Sequence, residues 1–222
     1  MEQLLQFDTR LLLAINSWHT LFLDNFLWNI TQKTTWIPLY VSLVVYLALT
    51  FRNDNSNTLR SWMRILILVV AVAACAGLSD WICSLIKHAV ERPRPTRETA
   101  LQGILHIVNG YKGGRFGFVS AHAANTFSVA LLFSLIVRNI RTTIPLIVWV
   151  MLNCYSRMYL GVHYPADILG GLMVGALLAC TAYFVLLKTK VITNHPASQA
   201  RNFWSDYFVA AVFSISCTFC LL

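Results

Sequence analysis

Apolar residues fall in blocks along this chain. Six stretches, near 34–51, 62–86, 117–137, 143–160, 166–187 and 204–222, are dominated by them. Most are close to the roughly 20 residues a helix needs to cross a bilayer. Trp28, Trp36, Trp62 and Trp204 lie near segment ends, where an aromatic belt belongs. Residues 3–18 follow another pattern. Leu4, Leu5, Leu11, Leu12, Ile15 and Trp18 share one helical face, while Gln3, Gln6, Thr9, Arg10 and Asn16 lie mostly elsewhere. That spacing predicts an amphipathic helix lying in the membrane interface, with packing on the protein itself as the other reading. The expected fold is all-α: a bundle of six transmembrane helices with an N-terminal interfacial amphipathic helix, forming a single domain over 1–222. No internal repeat or low-complexity tract interrupts it.

Composition agrees with lipid as the main solvent. Of 222 residues, 57% are hydrophobic and 12% charged, with a mean hydropathy of +0.62. Soluble domains run near 45–50% apolar and about 25% charged. The N-terminus carries Glu2 and Asp8 rather than a basic region, so insertion is expected to rest on the spans and not on a cleaved signal peptide. The six cysteines fall in or beside apolar runs without zinc or disulfide-scaffold spacing and read as small hydrophobes, including the Cys217-x-x-Cys220 pair.

The net charge of +8 does not point to nucleic acid, because the bases sit in short segments between apolar runs. With six spans, one side holds eight bases: Arg52, Arg60, Arg64, Arg138, Arg141, Lys188, Lys190 and Arg201. The other side holds nine, but several of these look like anion ligands rather than orientation signals. The first side is therefore expected in the cytoplasm.

Nearly every reactive side chain lies on the opposite side. Lys87 closes the second segment, and Arg94-Pro95 follows. Ser120-Ala121-His122 opens the third. Ser156-Arg157 closes the fourth, with His163 and Asp167 just beyond. Lys87, Arg94 and Arg157 are cations beside a membrane, and phosphate is their natural ligand. Ser120 has the position of an N-cap, which aims free N–H groups and a helix dipole at an anion. Pro165 suits the first turn of the next helix. Asp167, four residues after His163, can accept its Nδ1–H and leave Nε2 free to attack phosphorus. His122 is the candidate acid for the leaving alkoxide, a role worth about 10²–10⁴-fold in rate. Singly, each residue has a bland reading as a snorkelling base, a solvated histidine or a helix cap. Their joint placement on one side does not. No carboxylate or Cys/His cluster has metal-ligand spacing, so neither a metal nor a cofactor is expected.

The pattern Lys87-x6-Arg94-Pro95, then Ser120-x-His122, then Ser156-Arg157-x5-His163-x3-Asp167 resembles the three-part signature of the type 2 phosphatidic acid phosphatase (PAP2) superfamily. The resemblance implies a metal-independent phosphatase forming a phosphohistidine, with His163 as nucleophile, Asp167 as its orienter and His122 as general acid. It places Lys87, Arg94, Ser120, Ala121 and Arg157 on the phosphoryl group, with Arg92 able to share that role. One departure stands out. The second part usually reads Pro-Ser-Gly-His, and here it is Val119-Ser120-Ala121-His122. Ala121 adds a methyl where the backbone nears phosphate, which bears on fine geometry and not on reaction class.

Family substrates include undecaprenyl pyrophosphate, phosphatidic acid, phosphatidylglycerol phosphate and the phosphates of lipid A. The linker 96–118 adds Arg97, Lys112, Arg115 and His106, which favours a large anionic head group such as lipid A or undecaprenyl pyrophosphate. The partners expected are the phosphorylated lipid and the bilayer, in a cytoplasmic membrane with the site facing the periplasm or outside. A transporter or flippase fits less well, since its site would lie nearer the midplane between repeats. A vanadate-dependent peroxidase resembles the same pocket but belongs to soluble proteins.

Overall fold

A computed structural model describes residues 2–52, 58–192 and 203–221; Arg201, counted above among the loop bases, lies outside them, as does the side chain of Trp204. Eight α-helices form among the described residues: α1 (Glu2–Asn16), α2 (Leu21–Thr31), α3 (Ile37–Phe51), α4 (Thr58–Val90), α5 (Ala121–Val137), α6 (Ile140–Tyr159), α7 (Pro165–Lys188) and α8 (Phe203–Phe219). Among the described residues no strand accompanies them, only an isolated bridge between Pro93 and Phe116. Helices stand at all six expected apolar stretches. Three described stretches are long and apolar enough to cross a membrane: Lys33–Phe51, Thr58–Val90 and Pro165–Lys188. Their outward faces expose Leu66, Val70, Trp81, Leu169, Met173 and Leu177, an apolar surface suited to lipid.

The short α2 was not foreseen from the sequence. Thr20 caps it, its hydroxyl accepting from Leu23 N at 3.2 Å. A 3₁₀ turn over Lys33–Trp36 then leads into α3, which begins on Pro38 in its first turn. The amphipathic pattern of 3–18 does become a helix, and α1 packs against α6 and α7. Asp8, Leu12 and Asn16 are buried on that side, while Leu5, Phe7 and Leu11 are exposed on the other.

α5 is the central helix and packs on α4, α6 and α7. A helix apolar on all sides belongs in such a position. At its end Arg138 adopts a left-handed conformation and Asn139 caps α6, its Oδ1 accepting from Arg141 N at 3.1 Å. So tight a turn makes α5 and α6 antiparallel neighbours. Gly171 and Gly175 let α7 close on α5: a Cβ at Gly171 would stand 2.3 Å from Ser120 O, and one at Gly175 2.6 Å from Ala124 O. This G-x-x-x-G pair thus packs helices within the protomer.

Candidate active site

The corner between α6 and α7 holds His163. α6 ends at Tyr159, Gly161 turns the chain with positive φ, and Pro165 starts α7. His163 is 1% exposed, and its Nδ1 lies 3.3 Å from Asp167 Oδ2. The same Oδ2 accepts from Tyr164 N at 3.0 Å, so Asp167 caps α7 and orients the histidine together. The capping role and the catalytic role weighed for Asp167 in the sequence are therefore compatible. Burial, then the charges of Arg94, Arg157, Lys87 and His122, hold His163 well below the ordinary histidine value of 6.5. A neutral ring with Nδ1–H on a carboxylate presents its Nε2 lone pair.

Ser120 sits at the head of α5 as anticipated, fully buried, with Oγ 3.5 Å from Ala123 N. Its own N–H donates to Asp167 O at 2.8 Å, which ties the start of α5 to the start of α7. Ala121 and His122 occupy the first turn of α5.

Arg94 is held by backbone. Its Nε donates to Phe116 O at 3.1 Å and its Nη1 to Val162 O at 3.4 Å, which fixes it between the 96–118 linker and the His163 corner. Burial and Arg157 push Arg94 down to about 10, which leaves it a cation at neutral pH. Arg157, 2% exposed, donates from Nη1 to Thr31 Oγ1 at 2.7 Å and from Nη2 to the Tyr111 hydroxyl at 3.4 Å. Its Nε is buried without a partner among the described residues, a donor free for an anion. Lys87, half-buried near the end of α4, completes the set of cations bearing on His163. Arg157 and His122 face a cavity of about 390 Å³ whose wall also includes Thr31, Lys33 and Tyr111.

Arg92 takes a place the motif spacing did not anticipate. Its Nη1 donates to Asp167 Oδ1 at 3.1 Å, its Nη2 to Asp8 Oδ2 at 2.6 Å, and its guanidinium stacks 4.0 Å from the Tyr164 ring centroid. Asp8 Oδ1 also accepts from Ala166 N at 2.8 Å. Both terminal nitrogens of Arg92 are thus engaged by carboxylates. Asp8, Thr31 and Tyr111 were not singled out in the sequence, because each contributes through contacts far along the chain. The same holds for the clamp on the linker. Asn16 Nδ2 donates to His106 O and Tyr159 O, and His106 Nε2 lies 2.9 Å from both Asp24 carboxylate oxygens.

The PAP2 superfamily model matches residues 64–190, a span that contains all three groups of motif residues. The chain belongs to the PAP2 superfamily. Among PAP2 relatives, a lipid A 4'-phosphatase of Bacteroides thetaiotaomicron is 36% identical, covering 84% of this chain and 80% of that protein. A lipid A 4'-phosphatase of Porphyromonas gingivalis is 29% identical over 98% of this chain and 93% of its own. The undecaprenyl-diphosphatase BcrC of Bacillus subtilis is 30% identical over 73% and 74%. The transmembrane PAP2 type phosphatidylglycerolphosphate phosphatase of Bacillus subtilis shares the fold, with a TM-score of 0.59 at 20% identity over 88% of this chain and 90% of that one. Aquifex aeolicus LpxE does so with a TM-score of 0.58 at 21% identity over 78% and 93%. This PAP2 chain is a membrane phosphatase.

Proposed function

We propose that this phosphatase removes phosphate from a bacterial envelope lipid, with the 4'-phosphate of lipid A as the first substrate to test and undecaprenyl pyrophosphate as the second. The observation that carries the chemistry is the buried, neutral His163, backed by Asp167 and faced by three cations. Support for lipid A comes from two relatives that bear that name over most of this chain. Arg97 and Lys112, which line a surface cleft of about 640 Å³ beside the site, suit a large anionic head group.

In this reading Lys87, Arg94, Arg157 and the N–H groups of Ala121 and its neighbours hold the phosphoryl oxygens. Positioning and charge neutralisation are most of what such a transfer needs. His163 Nε2 attacks phosphorus and forms a P–N bond as the ester P–O bond breaks. His122 donates its proton to the departing oxygen. Asp167 stabilises the imidazolium character that develops on His163, and Arg92 and Asp8 hold Asp167 in place. Water then attacks the phosphohistidine, His122 takes the water's proton, and inorganic phosphate leaves with His163 restored.

The chain functions as one membrane unit over 1–222 in which α3 to α8 each cross the bilayer. An even number of crossings agrees with Asn29 Nδ2 donating to Cys220 O at 3.4 Å, since α2 and the end of α8 meet at the same end as the site. The eight bases of the opposite loops support a cytoplasmic position for that other end. The site then faces the periplasm or outside and works on lipids already moved to the outer leaflet.

The test is phosphate release by the purified full chain in detergent micelles from lipid A, undecaprenyl pyrophosphate, phosphatidic acid and phosphatidylglycerol phosphate. Preferential release from lipid A is expected. Preference for either glycerolipid would replace the envelope-lipid reading, and no release from any of the four would end it.

A further inference from the structure

A second cavity shares His122, Thr31 and Lys33 with the first, and neither Lys87, Arg94 nor Arg157 lines it. It measures about 240 Å³, and its wall includes Asp80, Asn125, Trp149 and Asn153. α4, α5 and α6 supply these four residues. The phosphate chemistry above uses none of them.

Three features mark this cavity as more than a gap between helices. Asp80 precedes Lys87 by two helical turns on α4, which puts its exposed carboxylate about 10 Å deeper in the membrane than the phosphate-binding cation. A carboxylate at such depth is costly unless it faces a polar cavity with work to do. Trp149 is fully buried, and its Nε1–H has no hydrogen-bond partner among the described residues. Edge contacts with the rings of Trp36 and Tyr40 hold that indole in place. Asn125 Oδ1 is likewise buried without a partner. A buried donor and a buried acceptor left unmatched are expensive, and native proteins keep few of them. Here both belong to residues lining one cavity, next to the histidine that attends the leaving oxygen.

We propose that this cavity receives the alcohol part of the substrate and selects one whose carbons near the phosphate carry both carbonyl and hydroxyl groups, as an acylated amino sugar does. Trp149 Nε1–H donates to an ester or amide carbonyl. Asn125 Oδ1 and the Asp80 carboxylate accept from a hydroxyl or an amide N–H. A polyprenyl diphosphate, whose phosphates are followed by a hydrocarbon chain, offers these groups nothing to bond. The proposal rests on the function given above, with His122 at the leaving oxygen, and it names the feature of the substrate that the site reads.

The test uses the purified full chain in detergent micelles with three substrates: lipid A bearing its 4'-phosphate, farnesyl diphosphate and phenyl phosphate. The variants are Trp149→Phe, Asn125→Ala and Asp80→Ala. In each, the ratio of kcat/KM for lipid A to that for farnesyl diphosphate is expected to fall roughly 3- to 10-fold, the size of one or two lost hydrogen bonds. Ratios that stay at the wild-type value in all three would overturn the subsite, while wild-type lipid A turnover left intact would preserve the phosphatase reading. A wild-type protein that hydrolyses phenyl phosphate but not lipid A would overturn both the subsite and the choice of substrate. Phenyl phosphate turnover also reports folding. If Trp149→Phe loses it, Asp80→Ala, a truncation at an exposed position, decides the matter by the same ratio.

Discussion

Asp8 and Asp167 grip the same guanidinium. Arg92 donates to Asp8 Oδ2 at 2.6 Å and to Asp167 Oδ1 at 3.1 Å, and Asp167 in turn meets His163 Nδ1 through its other oxygen. The first helix of the chain is thereby linked to the histidine at the centre of the site. Second-layer contacts of this kind fix the tautomer and aim of a reactive ring.

Removing that link should slow chemistry more than binding. Arg92→Met is expected to lower kcat by up to ~10²-fold, because small errors in the aim of a nucleophile are costly. Asp8→Asn should lose less, since an amide still accepts from Arg92. KM for phenyl phosphate should change little in either. A rise in KM with kcat preserved would place Arg92 on the phosphate instead, the role its motif position first offered.

His163→Ala is expected to abolish turnover while the protein still inserts and elutes as a single species. In the unaltered protein, rapid acid-free quenching with labelled substrate should trap a phosphoenzyme that is labile to acid and stable to base. Normal turnover in the variant would remove His163 from the role of nucleophile.

His163 should stay neutral where an ordinary histidine is charged. Burial and the surrounding cations hold its pKa well below 6.5. As pH falls through that value the unfolded chain takes up a proton and the folded chain does not, so stability declines on the acid side while the nucleophile remains competent. Nitrogen NMR of histidine-labelled protein, with the signal assigned through His163→Ala, should show a neutral ring at about pH 5.5. A signal titrating near 6.5 would contradict this.

Sidedness can be read with fused reporters. A domain that folds only in the cytoplasm should be active when inserted after Asn55 and inactive when fused after Leu222. The reverse pattern would place the chemistry in the cytoplasm and direct the substrate search to the inner leaflet.

The residues of the candidate site were legible in the linear chain. Asp167 follows His163 by one helical turn, Ser120 stands directly before an apolar run, and Pro165 marks a helix start; each is a short-range relation that helical geometry converts into contact. The long apolar blocks likewise located α3 to α8. The short α2 escaped because Asp24, Asn25 and Asn29 interrupt its apolar run.

Only the tertiary structure decided which distant groups complete the site. Thr31 and Tyr111 meet Arg157, Asp8 meets Arg92, and Asn125 and Trp149 come to line one cavity because α1, α2, α5, α6 and the linker pack together. The periodicity of a helix tells which face is apolar. It does not tell which partner that face meets, and a guanidinium with two possible anions goes to the one that packing brings within reach. That is why the motif spacing could leave Arg92 beside a phosphate, while the folded chain binds it between two carboxylates.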